Sequence, residues 1–488
     1  MDRVIVTEST DDWIQQITNV EVVDATEYLT DSKWSRQRGL KVCCLPSSFA
    51  YQSIGYYVSL LAEARGHRPV PSIMTVQDLT GRVAVRLLPK SLDEIIQTSL
   101  ASLQTDSFTL SVYFGRNLAK RHDRLSRELF NQFQAPLLRF EFSRRSKKWR
   151  LRKATTLGAG ELPAAHRPYV VDFANQYFAR HTSVRSATKS ARFDLAILYN
   201  PDEKELAPSD PAALKKMLKA ASANGFAAEL ITKDDAGRLL EFDALFIRET
   251  TAVDHHTYRL ARRAEREGMV VIDDPQSILR CTNKVFLAEL MEKNKVAMPK
   301  SMIVHRGNQH LVAAMLGLPC VLKRPDSAFS QGVVKANNED ELNAHLKCFF
   351  ETSQLLIAQQ YMPTDFDWRI GTMDRRPMFA CKYKMARGHW QIAKHTESDG
   401  PTFGGFETLP IEMAPRKAVA LAQKAADLIG DGLYGVDVKE SDGQFYVIEV
   451  NDNPNLDSGV EDKLLRDDLY SRIMESFLRR IEKKKALS

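Results

Sequence analysis

Two adjacent strands are encoded in the stretch Gly435-Val-Asp-Val-Lys-Glu-Ser-Asp-Gly-Gln-Phe-Tyr-Val-Ile-Glu-Val-Asn-Asp-Asn-Pro454. β-Branched and aromatic residues fill both halves, and the Asp442-Gly443 pair between them is typical of a turn. Three polar residues interrupt this apolar pattern, namely Asp437, Glu449 and Asn451. A buried carboxylate costs several kcal/mol unless something neutralises it. The stretch therefore predicts either a hairpin that binds a cation or a solvated hairpin with exposed polar residues.

The polar residues act together only if they share one face of the hairpin. Glu449 and Asn451 are two residues apart, so they share a face, and Asp437 joins them if it pairs with Glu449. A two-residue turn at Asp442-Gly443 would put Asp437 on the other face. We therefore expect a three- or five-residue loop with Gly443 in a left-handed conformation. Such a set of oxygen donors suits Mg²⁺.

Length and composition indicate a globular protein of three or more domains, with 488 residues, 44% hydrophobic and 27% charged. No apolar run approaches a membrane span, and the N-terminus lacks the apolar core of a signal peptide. The six cysteines have neither metal nor disulfide spacing. We expect a cytoplasmic protein with reduced thiols and no membrane partner.

The net charge of +6 suits a protein that handles phosphates and acidic small molecules. The densest basic run, Arg144 to Lys153, could contact a phosphate backbone. Apolar residues alternate before and within it, however, which favours a hairpin with a charged tip. The sequence therefore does not indicate a nucleic-acid partner.

A separate α/β extension is predicted over residues 1–180. Its strand candidates are Val4–Val6, Val20–Val23, Leu40–Leu45, Val83–Leu87 and Phe108–Phe114, and its helix candidates are Ile54–Arg65 and Leu118–Phe133. Residues 181–192 are polar and contain one branched aliphatic side chain, so we expect a linker there.

Strands and helices alternate over residues 191–280, which predicts a parallel sheet covered by helices. The strand candidates are Leu195–Leu198, Ala228–Ile231, Ala244–Ile247 and Val270–Ile272, and the helix candidates are Pro211–Ala223 and Thr257–Glu267. Arg248 follows the third strand, where α/β sheets bind ligands. It either clamps a substrate carboxylate or forms a surface salt bridge.

Further along, Pro319–Lys323 reads as an apolar strand that ends in a cation able to reach phosphate oxygens. Lys284 stands at the start of a predicted helix. Leu355–Met362 is an apolar strand that breaks at Pro363, and the strand Asp367–Ile370 follows.

With these elements in place, Asp437, Glu449-Val-Asn451 and Asn453-Pro454 resemble the metal-binding end of ATP-grasp ligases. The similar branch contains ribosomal-protein S6 glutamate ligase and glutathione synthetase, and the resemblance covers about residues 190–480. It implies an α/β protein whose ATP-grasp domain, residues 281–482, has two α+β lobes enclosing ATP. A small parallel-sheet domain (191–280) precedes this domain, and residues 1–180 resemble the extension of some relatives.

The resemblance also implies roles for individual residues. Asp437, Glu449 and Asn451 would hold two Mg²⁺ ions, with Mn²⁺ as a substitute, and Lys284 and Lys323 would bind the ATP phosphates. The hinge of the domain would present Gln360, Tyr361 and Met362 to adenine, and Asp367 would contact ATP. Arg387 and Lys323 are the catalytic candidates. The substrate-binding candidates are Arg248, Arg369 and Asn453.

The chain departs from the family pattern at three places. The loop Asp326–Val333, expected to close over the phosphates, keeps one glycine, Gly332. Gln360 stands where the family often has an acid. Gln391–Ala393 or Lys394-His395 replaces an Arg-Ser-Asn set of the S6-ligase relatives.

We expect an ATP-dependent ligase that joins a carboxylate to an amine through an acyl phosphate. Its substrates would be ATP, a carboxylate and an amine, such as a glutamate-like amino acid, a peptide or a protein terminus. Two alternatives remain open: a kinase that phosphorylates a hydroxyl group, and a nucleotide-binding regulatory module. The sequence also leaves open whether the protein is a homo-oligomer.

Overall fold

The computed structural model describes residues 3–8, 11–37, 39–80, 90–186, 191–326, 332–394 and 402–487. The chain forms two compact units. The first comprises Met1–Asp194, Asp234–Phe242 and Lys483–Ser488, and the second comprises Leu195–Lys233 and Asp243–Glu482. None of the helices within the described ranges combines the length and the apolar character needed to cross a membrane.

The first unit contains a parallel sheet and an antiparallel sheet. The parallel strands, in spatial order, are Glu21–Asp24, Arg3–Thr7, Lys41–Cys44 and Arg68–Val70. The antiparallel strands are Ser107–Tyr113, Leu137–Arg145 and Lys148–Thr156. The basic run thus forms the predicted hairpin, whose apolar alternation buries Phe140, Phe142 and Trp149. The helices are Asp12–Gln15, Ala25–Thr30, Ser32–Arg36, Ile54–Ala64, Ile73–Thr80, Lys90–Leu100, Asp123–Phe133 and Arg167–Ser186.

Two predicted segments of this unit differ from the structure. The helix Arg167–Ser186 runs through the first half of the predicted linker, because residues 169–186 contain no glycine or proline that would end a helix. The helix expected from Leu118 begins at Asp123, after a 3₁₀ turn at Lys120–His122. The predicted strand Val83–Leu87 lies outside the described residues.

The predicted alternation of strands and helices over residues 191–280 is confirmed. Its four-stranded sheet has the order Val270–Ile272, Ala244–Arg248, Phe193–Tyr199 and Phe226–Ile231. The first three strands run parallel. The associated helices are Pro211–Ala223, His256–Arg266 and Pro275–Thr282.

Two antiparallel sheets follow, in agreement with the predicted α+β lobes. The strands of the first sheet are Ser301–Val304, Leu356–Gln360, Cys320–Lys323 and Val333–Ala336. Those of the second are Phe406–Leu409, Arg376–Lys384, Phe366–Met373, Leu433–Ser441 and Gln444–Asn451. The short strands Ala393–Lys394 and Thr402–Phe403 pair separately. The helices of this part are Lys284–Lys293, Val312–Leu316, Glu339–Phe349, Arg416–Ile429 and Asp467–Leu487.

The second antiparallel sheet is supported by the helix Arg416–Ile429. Its buried residues recur at helical spacing and are mostly alanines: Ala418, Ala422, Ala425, Ala426 and Ile429. They share a core with Val436, Val438 and Val450 of the sheet. Small side chains let the helix approach the sheet closely, and this packing fixes the strands that carry the candidate site.

Candidate active site

The hairpin formed by the strands Leu433–Ser441 and Gln444–Asn451 has a two-residue turn, contrary to the expected longer loop. Ser441 pairs with Gln444, and both Asp442 and Gly443 between them have positive φ, 51° and 70°, as a type I′ turn requires. A register shift between Asp437 and its neighbour Val438 then restores the pairing of Asp437 with Glu449. A β-bulge, rather than a longer loop, therefore sets the register that pairs the two carboxylates.

Asp437 is bound by an arginine from the adjacent strand. Arg369 lies directly opposite in the antiparallel pair and donates to both carboxylate oxygens, at 2.7 Å from Nε and 2.8 Å from Nη2. Gly435 makes room for this arginine, because an added Cβ would lie 3.2 Å from Arg369 Cδ and 2.7 Å from Pro454 Cβ. Asn451 Nδ2 donates to the carboxylate at 3.1 Å and to Gly435 O at 3.2 Å. The amide oxygen of Asn451 is then its potential ligand atom.

Glu449 lies beside two lysines from different elements. Lys284 Nζ is 2.8 Å from Glu449 Oε1, and Lys323 is near enough to stabilise the carboxylate electrostatically. Both lysines are buried, at 8% and 9% exposure. The structure thus brings Lys284, Lys323, Glu449, Asp437 and Asn451 together.

The two lysines are held in place by bonds between their own segments. Asn283 caps the helix that starts at Lys284, since its Oδ1 accepts from Phe286 N at 2.9 Å. Its Nδ2 donates to Asp326 Oδ1 at 2.8 Å, and Lys284 N donates to Pro325 O at 2.9 Å. These bonds tie the helix start to the segment that follows Lys323.

Burial and charge oppose each other in this cluster. Burial lowers the pKa of Lys323 to about 8, although Glu449 acts in the opposite direction. Burial would raise the pKa of Glu449, but Lys284 and Lys323 outweigh it and lower that pKa. Burial likewise disfavours the Arg369 guanidinium, but Asp437 outweighs it and raises the Arg369 pKa. The Glu449 carboxylate is therefore ionised at neutral pH, and Lys323 titrates unusually close to it.

Asp367 is buried beside the cluster and paired with a lysine that sequence reasoning missed. Lys439 Nζ lies 2.6 Å from Asp367 Oδ1 and 2.6 Å from Thr364 Oγ1, and the threonine donates to the same carboxylate at 3.0 Å. Burial nevertheless raises the pKa of Asp367. A signal was present, because Lys439 is two residues after Asp437 in a strand that carries polar side chains inward.

The predicted hinge borders an open cleft of about 930 Å³. Tyr361 and Arg387 both line it, and the Tyr361 ring meets that of Trp390 edge to face at 5.9 Å. Thr364 also lines the cleft, and it connects the cleft to Asp367. Gln360 donates its backbone N–H to Lys300 O at 2.8 Å, so this N–H is already used, and its side chain is exposed. The loop residues 327–331 and His395 lie outside the described residues.

Arg248 is neither at the surface nor open to a substrate carboxylate. It is 1% exposed, and burial lowers its pKa to about 10. Its donors go to Ser209 Oγ at 3.0 Å, Asn453 Oδ1 at 2.6 Å, and the carbonyl oxygens of Pro208 and Pro454. Asn453 Nδ2 in turn donates to Glu249 O at 2.7 Å. The predicted surface salt bridge of Arg248 is therefore wrong. Arg248 and Asn453 instead belong to an internal hydrogen-bond network next to the end of the hairpin.

The oxygen atoms of Asp437, Glu449 and Asn451 fit a divalent cation. They are hard donors on one sheet face, and a carboxylate offers about four lone-pair sites, so the bonds to Arg369 and Lys284 leave acceptor capacity. The cluster combines these acids with buried lysines between two antiparallel sheets, which is the arrangement of an ATP-grasp protein.

Comparison with protein families agrees with this class. Residues 281–476 match the RimK-like ATP-grasp domain, and residues 25–173 match the RimK-like ATPgrasp N-terminal domain. The chain therefore belongs to the RimK-like ATP-grasp family, a family of ATP-dependent ligases.

Curated relatives are distant. The "Probable alpha-L-glutamate ligase" of Thioalkalivibrio sulfidiphilus is 26% identical over 225 residues, which are 46% of this chain and 72% of the relative. The "Alpha-aminoadipate--LysW ligase LysX" of Saccharolobus solfataricus is 27% identical over 205 residues, 40% of this chain and 70% of that protein. Among solved structures, D-alanine–D-alanine ligase from Bacillus anthracis aligns with 60% of this chain and 99% of its own, at 16% identity and a TM-score of 0.48.

Proposed function

We propose that the protein uses ATP to join a carboxylate to an amine through an acyl phosphate. The observation that carries this proposal is the contact of Lys284 with Glu449, opposite Asp437 on one sheet face. Phosphoryl transfer needs positioning and charge neutralisation more than a covalent nucleophile. Buried lysines beside carboxylates supply both.

The nucleotide is proposed to extend from the cleft to the lysines. Tyr361, Met362 and the Gln360 side chain would contact adenine, and Asp367 would contact the remainder of the nucleoside. Lys284 and Lys323 would bind phosphate oxygens. The bonds of Thr364 support this path, because the residue lines the cleft and contacts the Asp367 carboxylate.

Asp437, Glu449 and the Asn451 amide oxygen would hold Mg²⁺, with Mn²⁺ as a substitute. Bound there, the cation would neutralise charge on the ATP phosphates. Arg369 would orient the Asp437 carboxylate, since it donates to both of its oxygens. Asn453, held by Arg248, would fix the chain that leaves the hairpin.

The chemistry would proceed in two steps. A substrate carboxylate oxygen attacks the γ-phosphorus, the bond from that phosphorus to the β,γ-bridging oxygen breaks, and ADP leaves. The amine nitrogen then attacks the acyl carbon, phosphate departs and the nitrogen loses a proton. Arg387, exposed in the cleft, is the proposed cation that stabilises charge on the transferring phosphoryl group.

A glutamate-like amino acid is the proposed class for one substrate, and an amino acid, a peptide or a protein terminus for the other. The support is the name of the 26%-identical relative, a probable α-L-glutamate ligase. The test is incubation of the full chain with ATP, Mg²⁺ and pooled amino acids, followed by mass spectrometry. A ligase gives an amide and ADP, a kinase gives a stable phosphate ester, and a regulatory module gives neither product.

A further inference from the structure

Two histidines and a glutamate meet after the strand Ala244–Arg248, apart from the acids of the hairpin. Glu249 follows the strand, His255 caps the next helix and His256 is its first residue. One ligand atom from each lies within 4.8 Å of the others, and the two imidazole rings are 3.9 Å apart.

Glu249 is buried without hydrogen bonds to its carboxylate. It is 1% exposed, and among the described residues neither Oε1 nor Oε2 has a hydrogen-bond partner. Oε1 lies 2.8 Å from His256 Nε2, yet this nitrogen also lacks a hydrogen bond, so the two atoms are close without forming one. A buried carboxylate in this state is costly unless a cation satisfies it.

A neighbouring hydroxyl orients the His255 ring. Thr257 Oγ1 lies 3.1 Å from His255 Nδ1 and 3.4 Å from Thr250 O. In the tautomer with the proton on Nδ1, His255 donates to Oγ1 and its Nε2 keeps a free lone pair for a metal ion. An outer hydrogen bond of this kind typically orients a metal-ligating histidine.

We propose that Glu249, His255 and His256 form a binding site for a first-row transition-metal ion of the Zn²⁺ or Co²⁺ type. Two imidazoles and one carboxylate are a donor set that such ions favour over Mg²⁺. With bonds of about 2.1 Å, the 2.8 Å separation of Oε1 and Nε2 subtends about 84° at the ion. This angle fits six-coordination with positions left for water or another ligand.

Small side-chain adjustments complete the geometry. Two ligands at about 2.1 Å from an ion can be no more than about 4.2 Å apart, so a pair at the 4.8 Å limit would have to close by about 0.6 Å or more. His255 and His256 are partly exposed, which leaves room for this adjustment, and the backbone carbonyl of Glu249 accepts from Asn453 Nδ2 at 2.7 Å. The same contact links the site to the end of the hairpin, so an ion here would stiffen the segment behind Asn451.

The test is a Co²⁺ titration of the full chain after chelator treatment, followed by visible absorption, with Zn²⁺ as competitor. We expect one Co²⁺ with visible bands from nitrogen ligation, displaced by Zn²⁺. Glu249→Gln, His255→Gln and His256→Gln should each raise the Co²⁺ dissociation constant at least about tenfold. The exposed-histidine control His310→Gln and the hairpin variant Asp437→Asn should leave the bands unchanged.

Circular dichroism of each variant separates lost binding from lost folding, and the partly exposed His255 provides the variant least prone to misfold. Absence of the bands in the wild type would overturn the proposal and leave an ion pair between Glu249 and His256. Bands that persist in folded His255→Gln and His256→Gln would overturn it as well.

Discussion

Lys284 Nζ lies 2.8 Å from Glu449 Oε1, so the cation proposed for ATP phosphate neutralises the acid proposed for Mg²⁺. Phosphate would draw the lysine away from the glutamate, and Mg²⁺ would draw the glutamate away from the lysine. Each ligand therefore frees a partner for the other, which is a direct source of positive coupling between their binding free energies.

The first prediction is that ATP and Mg²⁺ bind with mutual enhancement that depends on Glu449. In wild type, Mg²⁺ should tighten the binding of ATP beyond what formation of the Mg–ATP complex in solution explains. The measurement is a set of calorimetric ATP titrations at several Mg²⁺ concentrations, with Glu449→Gln as the comparison. Equal enhancement in the two proteins would contradict the coupling.

Removal of the Lys323 cation should weaken ATP binding. We expect Lys323→Ala to cost about 1–3 kcal/mol of binding free energy, the range for hydrogen bonds to charged groups. The matched control is Lys347→Ala on an exposed helix face, which should bind ATP normally. Unchanged affinity in folded Lys323→Ala would remove Lys323 from the site.

The pH dependence of ATP binding should report the same lysine. Burial lowers the pKa of Lys323 to about 8, so the side chain is charged below that pH and becomes neutral above it. Phosphate favours the charged form, and ATP affinity should therefore fall as pH rises above 8, with one proton taken up on binding. Calorimetry at pH 9 in buffers of different ionisation enthalpy measures this uptake, which Lys323→Met should abolish.

The sequence of the hairpin predicts the pairing of its two carboxylates but not the β-bulge that produces this pairing. The pairing of Asp437 with Glu449 follows from the alternation of side chains, and it is found. The bulge that achieves it does not follow, because Val447 N donates at 2.8 Å to Ala297 O, about 150 positions earlier in the chain. A distant segment thus takes a backbone donor at the register shift, and no local pattern contains that information.

The charged side chains also show which features the sequence predicts and which depend on tertiary packing. Lys323 was identifiable because a charge at the end of an apolar strand is unusual, whereas Asp367 was identified from the resemblance to ATP-grasp ligases. Arg248 had the same signal, but its burial depends on carbonyl groups of Pro208 and Pro454 that only the fold brings together. Strand pattern therefore locates unusual charges, and tertiary packing decides whether each is a site residue or a structural one.

Arg248 should contribute to stability rather than to substrate affinity. Arg248→Met leaves the acceptors of Ser209, Asn453 and Pro454 without their donor, and we expect a loss of about 3–5 kcal/mol in the free energy of unfolding. Urea denaturation measures it, with the exposed Arg375→Ala as control. A folded, equally stable Arg248→Met with a raised KM for the carboxylate would instead support the substrate clamp.

The variant Glu449→Gln tests whether the Glu449 carboxylate is needed for catalytic turnover. The change keeps size and removes a charge, so ADP release should fall by several orders of magnitude, while ATP binding falls less because Lys284 and Lys323 remain. ADP release is measured against Mg²⁺ concentration in both proteins. Normal turnover with an unchanged magnesium requirement would exclude Glu449 from the metal site.

The acyl phosphate is tested most directly by isotope transfer. Once product analysis has identified the carboxylate substrate, that substrate is labelled with ¹⁸O in its carboxyl group and incubated with the protein, ATP, Mg²⁺ and the amine. The proposed route predicts that one ¹⁸O atom per turnover appears in inorganic phosphate, because the attacking carboxylate oxygen leaves with the phosphoryl group. Amide formation with unlabelled phosphate would contradict it.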